Sequence, residues 1–221
     1  TTIGECRLKI RSMPVKSTSA DSSERRLVII DPFSIAANGN VYATDAFGNV
    51  VYQVSGGQLR PLFNVPNATS LRGIAVSPDQ KFLYFVDYEL GLRVADLGKS
   101  EVRELAKEGQ NLGGIDGIYY FEDHLIAVQN GSIPTRVVRI KLDPVKGVIE
   151  SVQPLEANKD AMVMPTFGTL AGKDLYFICN SQRDVYGADY DAFKHLKKPA
   201  GLAGYDRLPA SRKECYEVLK D

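Results

Sequence analysis

The stretch that decides the fold is "RGIAVSPDQKFLYFVDYELGLRVADL", residues 72–97. It contains short apolar runs separated by turn residues, the first turn at Pro78-Asp79. Runs of this length are typical of β-strands, and the stretch lacks the 3.6-residue period of a helix. The run "FLYFVD" is almost continuously apolar, which predicts a strand that is covered on both faces.

Three other stretches have the same plan of strand, turn and second apolar strand. The second strands end at Asp45, Asp87, Asn130 and Asn180, so the ends are 42, 43 and 50 residues apart. A period of about 40–50 residues with several strands in each unit predicts an all-β protein, a β-propeller whose blades are four-stranded antiparallel sheets. The other three stretches are "FSIAANGNVYATDAFGNVVYQV" (33–54), "DGIYYFEDHLIAVQNGSIPTRVVRIKL" (116–142) and "TFGTLAGKDLYFICNSQRDVYGAD" (166–189).

The chain divides into two parts by composition. Residues 1–30 are predicted to be an N-terminal extension, or a divergent strand, with a serine-rich linker at 17–26. Residues 31–221 are predicted to form the propeller domain, with a short helical segment near 190–198. The segments "QLRPLF", "EVRELA" and "VIESVQPL" carry charge or proline, as expected of outer edge strands.

Charge and cysteine content exclude several classes of function. The 221 residues include 27 Lys and Arg and 27 Asp and Glu, so no basic excess indicates nucleic-acid binding. No apolar run reaches the length of a membrane span, which predicts a soluble chain. The sequence does not decide whether the chain is exported, for example secreted or periplasmic, or stays inside the cell. Cys179 is predicted to be a buried small hydrophobe. Cys6 and Cys215 lie near the two ends and could either form a disulfide or be free thiols.

With the units aligned, residues 30–185 resemble the regucalcin and gluconolactonase family of six-bladed propellers. The stretches that carry this resemblance are "GNVYATDAFGNVVYQV", "RGIAVSPDQKFLYFVDY", "LGGIDGIYYFEDHLIAVQNG" and "DLYFICNSQ". Four units are recognisable here, so either two N-terminal blades are missing or residues 1–30 supply altered strands. An open ring would expose two apolar blade faces, which predicts self-association.

The resemblance implies a divalent cation in the central tunnel, held by oxygen ligands that suit calcium, or else zinc, magnesium or manganese. The cation would polarise a lactone or ester carbonyl and activate water. At the start of the first strand of each unit this chain has Phe33, Arg72, Asp116 and Thr166. Of these, only Asp116 matches the ligand pattern of the family.

Asp116 is therefore the predicted catalytic residue and metal ligand, with Asn130 and Asn180 as further ligand candidates. The alternative for Asp116 is a turn in which the carboxylate binds backbone amides between Gly114 and Gly117. For Asn130 and Asn180 the alternative is a structural role at the end of a strand, shared with the aspartates of the first two units.

Arg72 is the predicted substrate-binding residue, because its guanidinium could hold an anionic group. It could equally form an ion pair with Asp116. His124 lies in the "FEDHL" turn and His195 in the polar C-terminal region, and both are predicted to be solvated rather than catalytic.

Three hypotheses about function follow. The first is a metal-dependent hydrolase acting on a small-molecule lactone or ester, as the resemblance implies. The second is a non-catalytic propeller that binds a protein or a small molecule and has a degenerate metal site. The third is a fragment without independent activity.

Overall fold

The structure, a computed structural model, describes residues 30–181 and 216–219. These residues form fifteen strands joined by turns, and no helix among them is long and apolar enough to cross a membrane. The strands are β1 (Ile30–Ile35), β2 (Val41–Asp45), β3 (Val50–Ser55), β4 (Gln58–Asn64), β5 (Leu71–Val76), β6 (Phe82–Asp87), β7 (Gly91–Asp96), β8 (Glu101–Glu104), β9 (Ile115–Phe121), β10 (His124–Gln129), β11 (Arg136–Asp143), β12 (Val148–Ala157), β13 (Thr166–Ala171), β14 (Asp174–Ile178) and β15 (Tyr216–Leu219).

The strands form four antiparallel sheets in chain order. The first sheet is β1-β2-β3-β4, the second β5-β6-β7-β8, the third β9-β10-β11-β12 and the fourth β13-β14-β15. The innermost strand of each sheet contacts the innermost strand of the next sheet: β1 lies against β5, β5 against β9 and β9 against β13. Sheets that stack in sequence along their innermost strands have the arrangement of propeller blades.

Apolar side chains fill the space between neighbouring sheets. Tyr42 and Val51 of the first sheet pack with Phe85 of the second. Tyr84 on the other face of β6 packs with Ile140 of the third sheet. Because both faces of β6 are covered, all six of its residues are buried, as the run "FLYFVD" predicted.

The outer strands are also confirmed. The segments predicted as edges form β4, β8 and β12, and most of their residues are exposed or half-buried. Cys179 is fully buried, as predicted. The predictions for residues 1–29, for the helix near 190–198, and for Cys6, Cys215 and His195 lie outside the described residues.

The four polar residues that end the second strands are not structurally equivalent, which corrects the sequence alignment. Asp45 pairs with Ile30 and Asp87 with Leu71, whereas in the third sheet Gln129, not Asn130, pairs with Ile115. We call this position the strand-end slot. Its occupants Asp45, Asp87, Gln129 and Cys179 are all fully buried.

Asn130 and Asn180 therefore follow the strand-end slot by one residue, as Tyr88 does in the second sheet. The structural role that the sequence assigned to these asparagines belongs instead to the slot itself. Asp45, for example, accepts hydrogen bonds from the backbone N–H groups of Phe47 and Gly48 and so closes the turn after β2.

Candidate functional site

The candidate site begins at an irregularity that the innermost strands share. In β9, Ile115 pairs with Gln129 and Gly117 with Val128, so Asp116 is one extra residue inserted between two consecutive pairs. The register of β5 shifts at the same level, between Leu71 and Ile74, where Arg72 lies. Such β-bulges redirect side chains and are frequent beside active sites. We call this position the bulge slot.

Two sequence-based placements change with this register. Asp116 lies inside β9, not in a turn before it. Phe33 pairs with Ala43 as Ile118 pairs with Ala127, so Phe33 lies two residues beyond the bulge slot. Counting back along β1 places Asp31 at this slot. Asp116 is therefore not the only aspartate at this level of the repeat.

Close backbone contact fixes the bulge slots of neighbouring sheets beside each other. A Cβ atom on Gly73 would lie 2.7 Å from the backbone nitrogen of Ile118 and 3.1 Å from the Cα atom of Gly117. A larger residue at position 73 would force the two strands apart, and a Cβ atom on Gly117 would lie 2.8 Å from the Tyr119 hydroxyl oxygen, so both β5 and β9 have glycine after the bulge slot.

Asp116 is the most enclosed member of the site, with 2% of its surface exposed. Its Oδ2 atom accepts a hydrogen bond from the Thr166 hydroxyl at the start of β13. The same oxygen accepts one from Nδ2 of Asn130, at 3.3 Å. The carboxylate thus contacts side chains of its own sheet and of the fourth sheet.

Asn130 connects Asp116 to the second sheet. Its Nδ2 donates to the carbonyl oxygen of Pro165 at 2.8 Å, and its Oδ1 accepts from the Tyr88 hydroxyl at 2.7 Å. The carboxylate and the carbonyl can only accept hydrogen bonds, so they hold the NH₂ group toward themselves and leave the amide oxygen for Tyr88. The orientation of the amide follows from its neighbours.

Arg72 lies against the far side of Tyr88. Its guanidinium carbon is 6.0 Å from the centre of the Tyr88 ring, within the range of a cation–π contact. Its backbone carbonyl accepts a hydrogen bond from the Thr44 hydroxyl at 3.0 Å, which ties the bulge of β5 to the first sheet. Arg72, Tyr88, Asn130 and Thr166 are half-buried.

Tyr119 adds a phenol to the same region. Its hydroxyl oxygen accepts a hydrogen bond from the backbone N–H of Gly168. Burial raises the pKa of Tyr119 to about 12; the Gly168 hydrogen bond lowers that pKa and the nearby charge of Asp116 raises it. Tyr119 is therefore neutral at physiological pH.

The structure brings some predicted site residues together and leaves others apart. Asp116 and Asn130 are in direct contact, and Arg72 reaches the same group of residues through Tyr88. Asn180 forms an isolated bridge with Met164, two residues before Thr166. His124 begins β10 and is half-buried, so it belongs to a strand rather than to a solvated turn.

Sequence analysis missed Tyr88 as a site residue and gave Thr166 no role. Tyr88 follows the strand-end slot just as Asn130 does, so a correct alignment of that slot would have drawn attention to both. The contact between Thr166 and Asp116 depends on how two sheets pack, and no local pattern signals it.

Calcium in proteins is held by six to eight oxygen ligands, which include carboxylates, backbone carbonyls and water. No group of three or more His, Cys, Asp or Glu side chains among them is placed to hold one ion. Asp116 supplies a carboxylate, but the Asn130 oxygen already accepts from Tyr88. The calcium site stays a prediction.

No family model and no curated protein matches this chain. Solved structures do resemble it. A chain of a nidogen–laminin complex is 18% identical, with a TM-score of 0.57 over 68% of this chain and 57% of that chain. An auxiliary nutrient binding protein from Bacteroides thetaiotaomicron is 14% identical, with a TM-score of 0.55 over 67% and 42%.

Virginiamycin B lyase from Staphylococcus aureus is 20% identical, with a TM-score of 0.52 over 67% of this chain and 48% of that chain. These neighbours are β-propellers. The fold is that of a β-propeller. The chain spans between 42% and 57% of the length of these three structures, and at such low identity the likeness concerns the fold alone. The neighbours include an enzyme and a binding protein.

Proposed function

We propose that this chain is part of a ligand-binding β-propeller that holds a small polar molecule at the bulge slots of its inner strands. One observation carries the proposal: a series of hydrogen bonds runs from Tyr88 through Asn130 and Asp116 to Thr166, across three neighbouring sheets. It lies where the inner strands begin, beside the axis about which propeller blades are arranged.

The residue types at the bulge slot support a role in recognition. Positions that serve the repeat keep one property: the strand-end slot is fully buried in all four described sheets, and residues 73 and 117 are both glycine. The bulge slot instead changes from Arg72 to Asp116 between adjacent sheets. A position that the fold leaves free to vary in charge is available to recognise a ligand.

The chemistry of the site indicates the class of ligand. Arg72 presents a planar set of N–H donors, which suits a carboxylate or another planar anion. Tyr88 and Thr166 are half-buried hydroxyl groups that can exchange hydrogen bonds with ligand hydroxyls. A small hydroxycarboxylate combines these features and is the ligand class that we propose.

Binding of a panel of hydroxycarboxylates, measured by calorimetry and thermal shift, tests this proposal. Arg72→Gln should weaken binding of the best ligand at least about tenfold, since a charge-assisted pair is lost. Arg139→Gln is the matched control, because Arg139 lies on β11, the third strand of its sheet, and donates to Gln153 at 2.9 Å. Equal binding by both variants, or no binding by the wild type, would contradict the proposal.

A second candidate is the lactone or ester hydrolase that the regucalcin-like sequence pattern implies, with calcium as the expected cofactor. Asp116 favours it, because this carboxylate lies on an inner-strand bulge beside Asn130 and Thr166. In this candidate Asp116 takes a proton from the attacking water as a general base. Its burial requires Asn130 or Thr166 to move first.

Hydrolysis of a panel of lactones and esters, with calcium chloride or with a chelator, tests the second candidate. Asp116→Asn should lower the rate at least about a hundredfold, because the amide cannot accept the proton. Asp123→Asn is the control, since Asp123 lies in the exposed turn between β9 and β10. Equal rates for the wild type and Asp116→Asn would exclude this role of Asp116.

A further inference from the structure

The sequence contains the dipeptide Asn-Gly twice, at Asn38-Gly39 and at Asn130-Gly131. This dipeptide is prone to deamidation, because glycine has no side chain to keep its backbone nitrogen away from the asparagine side chain. The nitrogen loses its proton and bonds to the side-chain carbonyl carbon, the bond from that carbon to the amide nitrogen breaks, and ammonia leaves. Water then opens the cyclic imide to aspartate or isoaspartate. The two dipeptides are chemically alike, so a difference in their reactivity comes from the fold.

Asn38-Gly39 lies in the turn between β1 and β2, and both residues are exposed. A Cβ atom on Gly39 would have no atom of the described residues within 4 Å. The Gly39 N–H donates to the Ala36 carbonyl oxygen at 2.9 Å, and the Asn40 N–H donates to Oδ1 of Asn38 at 3.0 Å. Both bonds connect residues of the turn itself, so the turn can open without separating one sheet from another.

Asn130-Gly131 is enclosed by the loops of two sheets. A Cβ atom on Gly131 would lie 2.6 Å from the Cα atom of Gly114 and 2.9 Å from the Tyr88 hydroxyl oxygen. The Gly131 N–H, whose nitrogen would be the nucleophile, donates to the Gly114 carbonyl oxygen at 3.0 Å. Gly114 lies in the connection between the second and third sheets. Rotation of this peptide therefore requires the two loops to separate.

The side chain of Asn130 is held as firmly as its backbone. Its Nδ2 donates to Asp116 at 3.3 Å and to the Pro165 carbonyl oxygen at 2.8 Å, while its Oδ1 accepts from Tyr88 at 2.7 Å. These partners belong to the third sheet, to the connection before the fourth and to the loop after β6. The side chain must leave its partners before its carbonyl carbon can meet the Gly131 nitrogen.

We propose that Asn38 is a site of spontaneous deamidation and that the packing of the candidate site protects Asn130 from the same reaction. Conversion of Asn38 adds a negative charge to a chain whose formal net charge is zero. The turn that contains Asn38 follows the end of β1 that is remote from the bulge slot, so the candidate site keeps its residues. Conversion of Asn130 would instead place a second carboxylate beside Asp116.

Peptide mapping by mass spectrometry, on the full chain aged at mildly alkaline pH, tests the proposal. In the folded chain Asn38 should convert at least about tenfold faster than Asn130, because its turn opens locally. Asn38→Gln is the matched control, since the longer side chain closes an imide ring far less readily, and it should remove the main product. In urea the two asparagines should convert at similar rates, because only the shared dipeptide then matters.

Tyr88→Phe provides a second test inside the same molecule. It removes a hydrogen bond to Asn130 and the oxygen that packs against Gly131. The rate at Asn130 should therefore rise relative to the rate at Asn38, and an unchanged ratio would contradict the protecting role of these contacts. A folded wild type in which Asn38 stays intact, or in which both asparagines convert equally fast, overturns the proposal. A difference that persists in urea also overturns it, because the fold would not be its cause.

Discussion

Asp87 and Asp116 are both buried carboxylates next to the innermost hairpin of a sheet, but they have different partners. Asp87 accepts hydrogen bonds from the backbone N–H groups of Thr69, Glu89 and Leu90 and from the Thr69 hydroxyl. Asp116 accepts from the side chains of Asn130 and Thr166. A carboxylate that binds the backbone of its own loops can recur in the repeat, as it does at Asp45 and Asp87, whereas one that binds the side chains of Asn130 and Thr166 depends on residues particular to this chain.

The largest effect in this comparison is expected for Asp87→Ala. Removing the carboxylate leaves several buried donors without an acceptor, so the free energy of unfolding should fall by about 3 kcal/mol or more. Urea unfolding at neutral pH measures this loss. Asp123→Ala, in an exposed turn, is the control and should change stability by less than about 0.5 kcal/mol. Similar values for the two variants would show that Asp87 does not hold its loops.

Asp116→Ala is expected to cost less, about 2 kcal/mol, because Asn130 keeps its hydrogen bonds to Pro165 and Tyr88. The contact with Thr166 can be isolated in a double-mutant cycle with Thr166→Val. A coupling of about 1 kcal/mol is expected between the two positions. If the effects of the two changes simply add, the bond between the third and fourth sheets does not contribute to stability.

Tyr88→Phe tests the other end of the same network. The change removes the hydroxyl that donates to Asn130 at 2.7 Å and keeps the ring that lies against Arg72. We expect a loss of about 1 kcal/mol, the usual contribution of one hydrogen bond that is partly open to water. Unchanged stability would mean that water replaces the hydroxyl as the donor to the Asn130 oxygen.

The sequence was sufficient for the fold because the signals of a blade are local. Runs such as "FLYFVD" report a strand covered on both faces, and turn residues such as Pro78-Asp79 report where the chain reverses. The charged outer segments likewise became β4, β8 and β12. Repetition at a regular interval then identified these strands as units of one architecture.

The site was less predictable because its geometry depends on the register within each sheet and on packing between sheets. One extra residue in β9 separates Asp116 from its expected place, and an offset of one residue moves Asn130 out of the strand-end slot. Neither bulge has a sequence signal apart from the glycines at 73 and 117. Tyr88 contacts Asn130 and Thr166 contacts Asp116 because three sheets pack together, and the sequence of a single sheet does not indicate either contact.

Asp79 is a third carboxylate and, unlike Asp87 and Asp116, it is exposed. Its substitution is expected to have the smallest effect on stability. The Ser77 hydroxyl at 2.7 Å and the Lys81 N–H at 3.1 Å donate to Oδ1 of Asp79. They hold the pKa of Asp79 below the ordinary value of 3.8 for an aspartate, the hydroxyl having the larger influence. A lowered pKa stabilises the folded state above pH 3.8, and this contribution is lost as the pH falls through the folded-state pKa.

Asp79→Ala should therefore lower the urea midpoint slightly at neutral pH, and the difference from the wild type should shrink in strong acid. Ser77→Ala should return the pKa of Asp79 toward 3.8, which an NMR titration of the side-chain carboxyl carbon can follow. The same substitution removes the acceptor of the Phe82 N–H, 2.9 Å away, so the titration rather than the stability isolates the carboxylate. A pKa that does not move would assign its lowering to the backbone donor of Lys81. In that case a single backbone N–H would account for the lowered pKa of Asp79, whereas Asp87 and Asp116 are buried and each accepts hydrogen bonds from several donors.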